Sequence, residues 1–235
     1  MNFPILFEGD TYSFPSLDGL DDDGLVAISR DVTPESVLSA YRQGIFPWYG
    51  ELDPVLWWSP NPRCIIRPEE VVVSKSMRSI LRNKPFQITI NQSFKKVIRA
   101  CSEPRKNDPR TWLLPEMIDT YIELHKMGWA HSIEVHSNNK LVGGFYGLAI
   151  GKYFAGESMF SRQSNASKIA LIVFCQYCQE YDIPFIDCQI PNPHLISLGA
   201  IELGRSKFLK TLKKVQESSP PKDFWNAKSI HYNDK

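Results

Sequence analysis

The sequence predicts an α+β or α/β protein built on a mixed β-sheet, and three observations lead there. Its 235 residues, 43% hydrophobic and 23% charged, describe a globular chain long enough to bury a proper core. From residue 63 onward, stretches of alternating and of helical hydrophobic period succeed one another. Three strand-like runs, 130–136, 141–150 and 153–160, follow each other across short turns, an antiparallel meander that an all-parallel fold would lack.

The first 60 residues are rich in Pro, Asp and aromatic side chains and contain one clear helix. Thr33 suits its N-cap, Pro34 its first position, and Gly44 its end, once Val37, Leu38 and Tyr41 have faced inward. Beyond it, Phe46-Pro47-Trp48-Tyr49 and Trp57-Trp58-Ser59-Pro60 crowd aromatics around prolines, where neither a helix nor a central strand is expected to continue. Residues 1–62 are read as a small N-terminal domain and 63–235 as a larger one. In the larger, 65–74 and 86–91 read as strands flanking a basic helical stretch, 75–83. Residues 93–101 and 115–127 read as helices, the second stopped by Gly128. Gly143, Gly144 and Gly147 inside the meander mark close backbone approach or a bulge. A long helix over 166–180, apolar on most sides, leads to a strand over 185–190, a short helix near 194–198 and an amphipathic helix over 206–216.

Charge is distributed unevenly. The formal total is +1, which by itself argues against nucleic-acid binding. Residues 1–60 nevertheless carry ten acids and two bases, and residues 61–110 carry twelve bases and four acids. No apolar run approaches the roughly 20 residues that span a bilayer, so no membrane partner is expected. The N-terminus lacks the basic and apolar regions of a secretory signal, and five cysteines without framework spacing fit reduced thiols. A cytoplasmic chain is expected.

Four groups of residues could carry chemistry. In the strand Phe185-Ile186-Asp187-Cys188-Gln189-Ile190, Asp187 and Gln189 share one face near the strand's C-terminal end, where open α/β sheets place ligands. They are either a site pair or a satisfied polar pair capping the next turn; Cys188 reads as core filler more readily than as a nucleophile. Glu157, within the aromatic and methionine-rich strand 153–162, requires a partner: Arg162, a base on a neighbouring strand, or a cationic substrate. Cys175 and Cys178 lie in a helical apolar pattern with no second ligand pair, so core thiols are expected and no metal. Lys75, Arg78, Arg82 and Lys84 recur at helical spacing and form either a solvated face or a phosphate-binding stripe; Lys95, Lys96, Arg99, Arg105, Lys106 and Arg110 extend it. With Trp48, Trp57, Trp58 and Trp112, which look exposed, the stripe suits phosphate contacts plus base stacking at a single-stranded end.

Assembled in order, these segments resemble the leucyl/phenylalanyl-tRNA-protein transferase family. The resemblance rests on YRQGIFPWY (41–49), LWWSPNPR (56–63), TWL (111–113), GWAHSIEV (128–135), LVGGFYG (141–147), FAGESMFSR (154–162), NASKIAL (165–171) and DCQ with HLISLGA (187–200). Ile28-Ser29-Arg30 departs from a glycine-rich stretch expected before Asp31, and the tail after about Lys222 is individual.

The resemblance implies an α+β fold: a mixed-sheet core like that of GCN5-related acetyltransferases behind a small N-terminal α/β domain. It implies a monomeric aminoacyltransferase without cofactor that moves Leu or Phe, or Met, from aminoacyl-tRNA to acceptor proteins bearing N-terminal Arg or Lys, marking them for N-end-rule degradation. By the same carry-over, Asp187 and Gln189 are the catalytic pair, with Asp187 polarising Gln189 and Asn192 assisting. Phe145, Met159, Phe174 and Ile186 line the pocket for the transferred side chain; Trp48, Trp112 and Phe154 grip the terminal adenosine; Glu157 faces the cationic acceptor or the adenosine. Lys75, Arg78, Arg82 and Lys84 meet the tRNA. The turn Ser161-Arg162-Gln163-Ser164-Asn165 lacks the glycines with which acetyl-CoA enzymes cradle pyrophosphate. The alternatives are an acyl-CoA N-acyltransferase of the same fold and a non-catalytic binder of RNA 3′ ends.

Overall fold

The computed structural model describes residues 5–6, 13–83, 86–104 and 113–233. The chain begins with β1 (Ile5–Leu6), β2 (Leu25–Ser29), α1 (Pro34–Arg42), β3 (Phe46–Pro47) and β4 (Val55–Trp58). A capping box starts α1: the Thr33 hydroxyl accepts from the Ser36 N–H, and the Ser36 side chain accepts from the Thr33 N–H. Gly44 adopts φ +76° just beyond its end. The four strands form one sheet in the order β1-β2-β4-β3. This corrects the expectation that no central strand crosses the aromatic-proline region. β4 is an inner strand with Val55 and Trp57 buried; Pro47 is confined to the edge strand β3, and Pro60 falls beyond the ladder.

The rest of the chain comprises β5 (Arg63–Ile66), α2 (Lys75–Arg82), β6 (Gln87–Ile90), α3 (Phe94–Ser102), α4 (Pro115–Lys126), β7 (Ala130–Ser137), β8 (Lys140–Ile150), β9 (Tyr153–Ser161), α5 (Ala166–Gln179), β10 (Ile186–Gln189), α6 (Pro193–Ile196), β11 (Ile201–Leu203), α7 (Arg205–Gln216) and β12 (Lys228–Ile230). The expected strand over 65–74 stops at Ile66, because Pro68 opens a single 3-10 turn, Pro68–Glu70. The short edge strands β11 and β12 are not legible in the pattern.

These strands form an eight-stranded sheet in the order β11-β5-β10-β9-β8-β7-β6-β12, mixed because β9 and β10 run parallel among antiparallel neighbours. One face packs against α5 and α2 through residues such as Phe145, Ile172 and Met77. The other carries Tyr146, Tyr121 and Phe208, in a hydrophobic cluster that also contains Val26, Tyr41 and Trp57 of the N-terminal part. The two sheets therefore share one core. The glycines of β8 serve close approach as expected: a Cβ on Gly143 would lie 2.4 Å from that of Ala166, and one on Gly147 would lie 2.2 Å from the Ala155 carbonyl oxygen. Gly147 also sits at the β8/β9 irregularity.

Candidate active site

An opening forms where β9 and β10 part. Their parallel ladder is two residues long, Ile186 with Phe154 and Asp187 with Ala155, yet β9 continues to Ser161. β10 is deflected at the same point. Its register with β5 shifts between Asp187 and Gln189, and Gln189 adopts φ +61°, a left-handed backbone unusual for a residue with a side chain.

Asp187 fixes this bend. It is fully buried, and its carboxylate accepts from Arg63 Nε at 2.8 Å and Nη2 at 2.7 Å, from the Tyr153 hydroxyl at 2.6 Å and from the Gln189 N–H at 2.9 Å. Arg63 is itself buried between the rings of Phe46 and Phe208, each 4.7 Å from its guanidinium carbon, and donates through Nη1 to the Gly44 carbonyl at 3.1 Å. Burial opposes the guanidinium charge, but Asp187 more than offsets it and raises the Arg63 pKa. Asp187 is thus saturated by partners and does not line the opening. The expectation that it shares a face with Gln189 is corrected by the bulge, and it reaches Gln189 through the main chain alone.

The amide of Gln189 is held by a different carboxylate. Its Nε2 donates to Glu157 Oε1 at 3.0 Å, and the Tyr41 hydroxyl donates to the same oxygen at 2.7 Å. Glu157 is half-buried, and burial raises its pKa to about 7, with hydrogen bonds from Tyr41, Tyr121 and Gln189 opposing the rise. In its ionised form the carboxylate only accepts, and the Gln189 NH₂ then faces Glu157. The amide oxygen then has no partner among the described residues. Arg162 pairs instead with Glu103, which sets aside the suggested Glu157–Arg162 ion pair.

Gln189 and Glu157 open into a cavity of about 630 Å³, within the usual range for small-molecule sites. Its walls include Phe145, Met159, Leu171 and Ile186; Trp48, Ile190 and Asn192 also line it, and Trp48 is 47% exposed. Asn192 is the N-cap of α6, its side chain accepting from the Leu195 N–H at 2.9 Å. Phe154 and Phe174 are buried in the core and do not line this cavity, so Phe154 offers no face on which a base could stack. Cys175 and Cys178 are fully buried core thiols; among the described residues no cluster of His, Cys, Asp or Glu is placed to hold a metal.

Residues 65–213 match the model of the leucyl/phenylalanyl-tRNA protein transferase family, and residues 30–61 match that of its N-terminal domain. The leucyl/phenylalanyl-tRNA–protein transferase of Idiomarina loihiensis is 45% identical over 88% of both chains. That of Yersinia enterocolitica is 46% identical over 94% of both. The chain belongs to the leucyl/phenylalanyl-tRNA protein transferase family. Among solved structures, L-PGS from Bacillus licheniformis matches 72% of this chain and 54% of its own with 12% identity and a TM-score of 0.37, too distant to bear on the fold family.

As a leucyl/phenylalanyl-tRNA protein transferase family member, the chain gathers Trp48, Phe145, Glu157, Met159, Ile186, Gln189 and Asn192 at one cavity. Lys75, Arg78 and Arg82 lie exposed on α2, whose Met77 and Leu81 are buried. Lys84 and Trp112 fall outside the described residues. Trp57 is fully buried and Trp58 half-buried, which corrects their reading as exposed stacking platforms; Trp57 Nε1 donates to the Ser29 hydroxyl at 2.9 Å. Sequence reasoning missed Arg63, Tyr153, Tyr41 and Tyr121. An Arg closing a proline-rich motif and a Tyr inside a helix carry no local sign that their partners lie about a hundred residues away. No helix among the described residues is long and apolar enough to cross a membrane.

Proposed function

We propose that the cavity receives the aminoacylated 3′ end of a tRNA and that the chain passes its Leu or Phe to the α-amine of an acceptor protein with N-terminal Arg or Lys. The observation that carries this reading is the tethered amide of Gln189, held by Glu157 at 3.0 Å beside walls formed by Phe145, Met159 and Ile186. Apolar walls suit an uncharged side chain, and flexible Met159 suits two unlike shapes. Trp48 is available to stack on the terminal base, while Lys75, Arg78 and Arg82 supply phosphate contacts. The acyltransferase-like part, 63–235, is read as similar to GCN5-related acetyltransferases, with 1–62 as its N-terminal partner.

The reaction is ester aminolysis. A neutral amine attacks the aminoacyl carbonyl, a C–N bond forms, the C–O bond to ribose breaks, and the amine's proton ends on the ribose oxygen. An α-amine with a pKa of about 7.7–8.0 is already partly neutral at pH 7, so positioning is the main requirement. The free Gln189 oxygen can accept a hydrogen bond from the attacking amine and orient its lone pair. An amide is too weak a base to keep the proton, which passes on to the leaving ribose. Glu157, about half ionised at pH 7 and increasingly so above it, favours a cationic acceptor end nearby.

The test is incubation of the chain with radiolabelled Leu-tRNA and a peptide beginning with Arg, in the absence of CoA. Label on the peptide is expected. Label retained by the protein without transfer would favour an RNA-end binder, and transfer from an acyl-CoA alone would favour the acyl-CoA enzyme.

A further inference from the structure

Glu157 is enclosed by tyrosines from three different elements. Tyr41 of α1 donates to it at 2.7 Å, and the Tyr41 and Tyr121 hydroxyls lie 2.9 Å apart, Tyr121 coming from α4. Because Tyr41 gives its one hydroxyl hydrogen to Glu157, Tyr121 is the donor to the Tyr41 oxygen and backs that contact. Tyr146 of β8 packs edge-on against Tyr121 with ring centroids 5.2 Å apart, its own hydroxyl buried without a partner among the described residues. All three rings are fully buried. Packing alone would be served by Phe, since a buried hydroxyl is costly unless hydrogen-bonded. Here the Tyr41 hydroxyl, backed by Tyr121, and the Gln189 amide converge on one carboxylate, and Glu157 and Gln189 both face the cavity.

We propose that Tyr41 and Tyr121 are positioning residues for transfer: from the N-terminal helix and from α4 they fix the Glu157 carboxylate and, through it, hold the Gln189 amide with its oxygen free for the incoming amine. This rests on the aminoacyl-transfer reading above. The groups facing Glu157 are Tyr41 on α1, Tyr121 on α4, Tyr146 on β8, and Gln189 and Asp187 on β10, with Asp187 matched by Arg63 and capped by Tyr153. Burial raises the Glu157 pKa, the Asp187 charge adds to the rise, and the donors lower it. Deleting a tyrosine hydroxyl therefore moves it upward, so a larger share of Glu157 is protonated at neutral pH. A protonated Glu157 competes as a donor, and the amide of Gln189 loses its fixed orientation.

The experiment compares the full chain with its Tyr41→Phe and Tyr121→Phe variants in single-turnover transfer of Leu from Leu-tRNA to an N-terminal Arg peptide, from about pH 5.5 to 8.5. The acceptor amine titrates identically in all three, so any displacement of the rising limb belongs to the protein. Each variant is expected to shift that limb upward by about one pH unit and to lose roughly five- to tenfold in rate at pH 7. Most of the rate should return at high pH, with KM for Leu-tRNA unchanged. In parallel, the infrared carboxyl band of Glu157, assigned by its loss in Glu157→Gln, reports the titration whether or not transfer occurs. Unshifted limbs and an unshifted band, with melting temperature alone lowered, would overturn the proposal and leave the tyrosines as core filler. If Tyr41→Phe fails to fold, Tyr121→Phe carries the test. Failure of the parent chain to transfer label overturns the underlying reading, and the infrared titration separates that result from a fault in the tyrosine assignment.

Discussion

A carboxylate locked to a buried guanidinium responds to substitution differently from one that lines an open cavity. Asp187 and Arg63 are both fully buried, and no other carboxylate is bonded to Arg63 among the described residues. Asp187→Ala should therefore destabilise the chain by about 3–5 kcal/mol, lowering the melting temperature by roughly 10 °C. A thermal melt checks this. A variant that melts like the parent but no longer transfers would move Asp187 into the chemistry. Glu157 behaves oppositely with pH. Its folded pKa of about 7 exceeds the ordinary 4.5, so folding favours its protonated form. That contribution is complete below about pH 4.5 and is lost as pH rises toward 7. Glu157→Gln should accordingly gain stability relative to the parent across this window, by roughly 1–3 kcal/mol. Melts at pH 4.5 and pH 8 measure the gap, and a constant gap would mean that Glu157 carries no burial cost.

At the scale of elements, local signals were reliable where the element satisfies itself. The Thr33 cap and the period of α1 located that helix to within about a residue, and the meander matched β7, β8 and β9 because tight turns and alternation are local properties. The pattern failed where another element decided the outcome. β4 is a strand because β2 and β3 flank it, and β12 exists because β6 offers an edge. α2 divides cleanly, with Met77 and Leu81 inward and Lys75, Arg78 and Arg82 exposed. Reversing Arg78 and Arg82 to Glu should weaken aminoacyl-tRNA binding and reduce the slope of log affinity against log salt by about 1 for each phosphate no longer neutralised. Filter binding across a salt series measures it, and an unchanged slope would return α2 to ordinary solvated surface.

For the whole molecule, the shared core governs stability. Val26, Tyr41 and Trp57 of the N-terminal part pack in one cluster with Tyr121, Tyr146 and Phe208, and Arg63 joins the Gly44 carbonyl to Asp187. Thermal unfolding is therefore expected as one cooperative transition, with residues 1–62 unable to leave independently. Calorimetry resolving two transitions would contradict this.

The α+β character, the order of most helices and strands, the family, and the candidates Gln189, Glu157, Met159, Ile186 and Trp48 are legible along the chain. Periodicity, capping and long aromatic motifs are properties of neighbouring residues, so they survive in one dimension. Which carboxylate serves Gln189 emerges only in three dimensions. By strand alternation it was Asp187; a bulge at Gln189 and the Arg63 fork removed Asp187 from the opening, and Glu157 took its place. Those partners lie 124 and 32 positions away in the chain. Contacts of that kind depend on where strands diverge and on which buried charges must be matched, and neither is a property of any short segment.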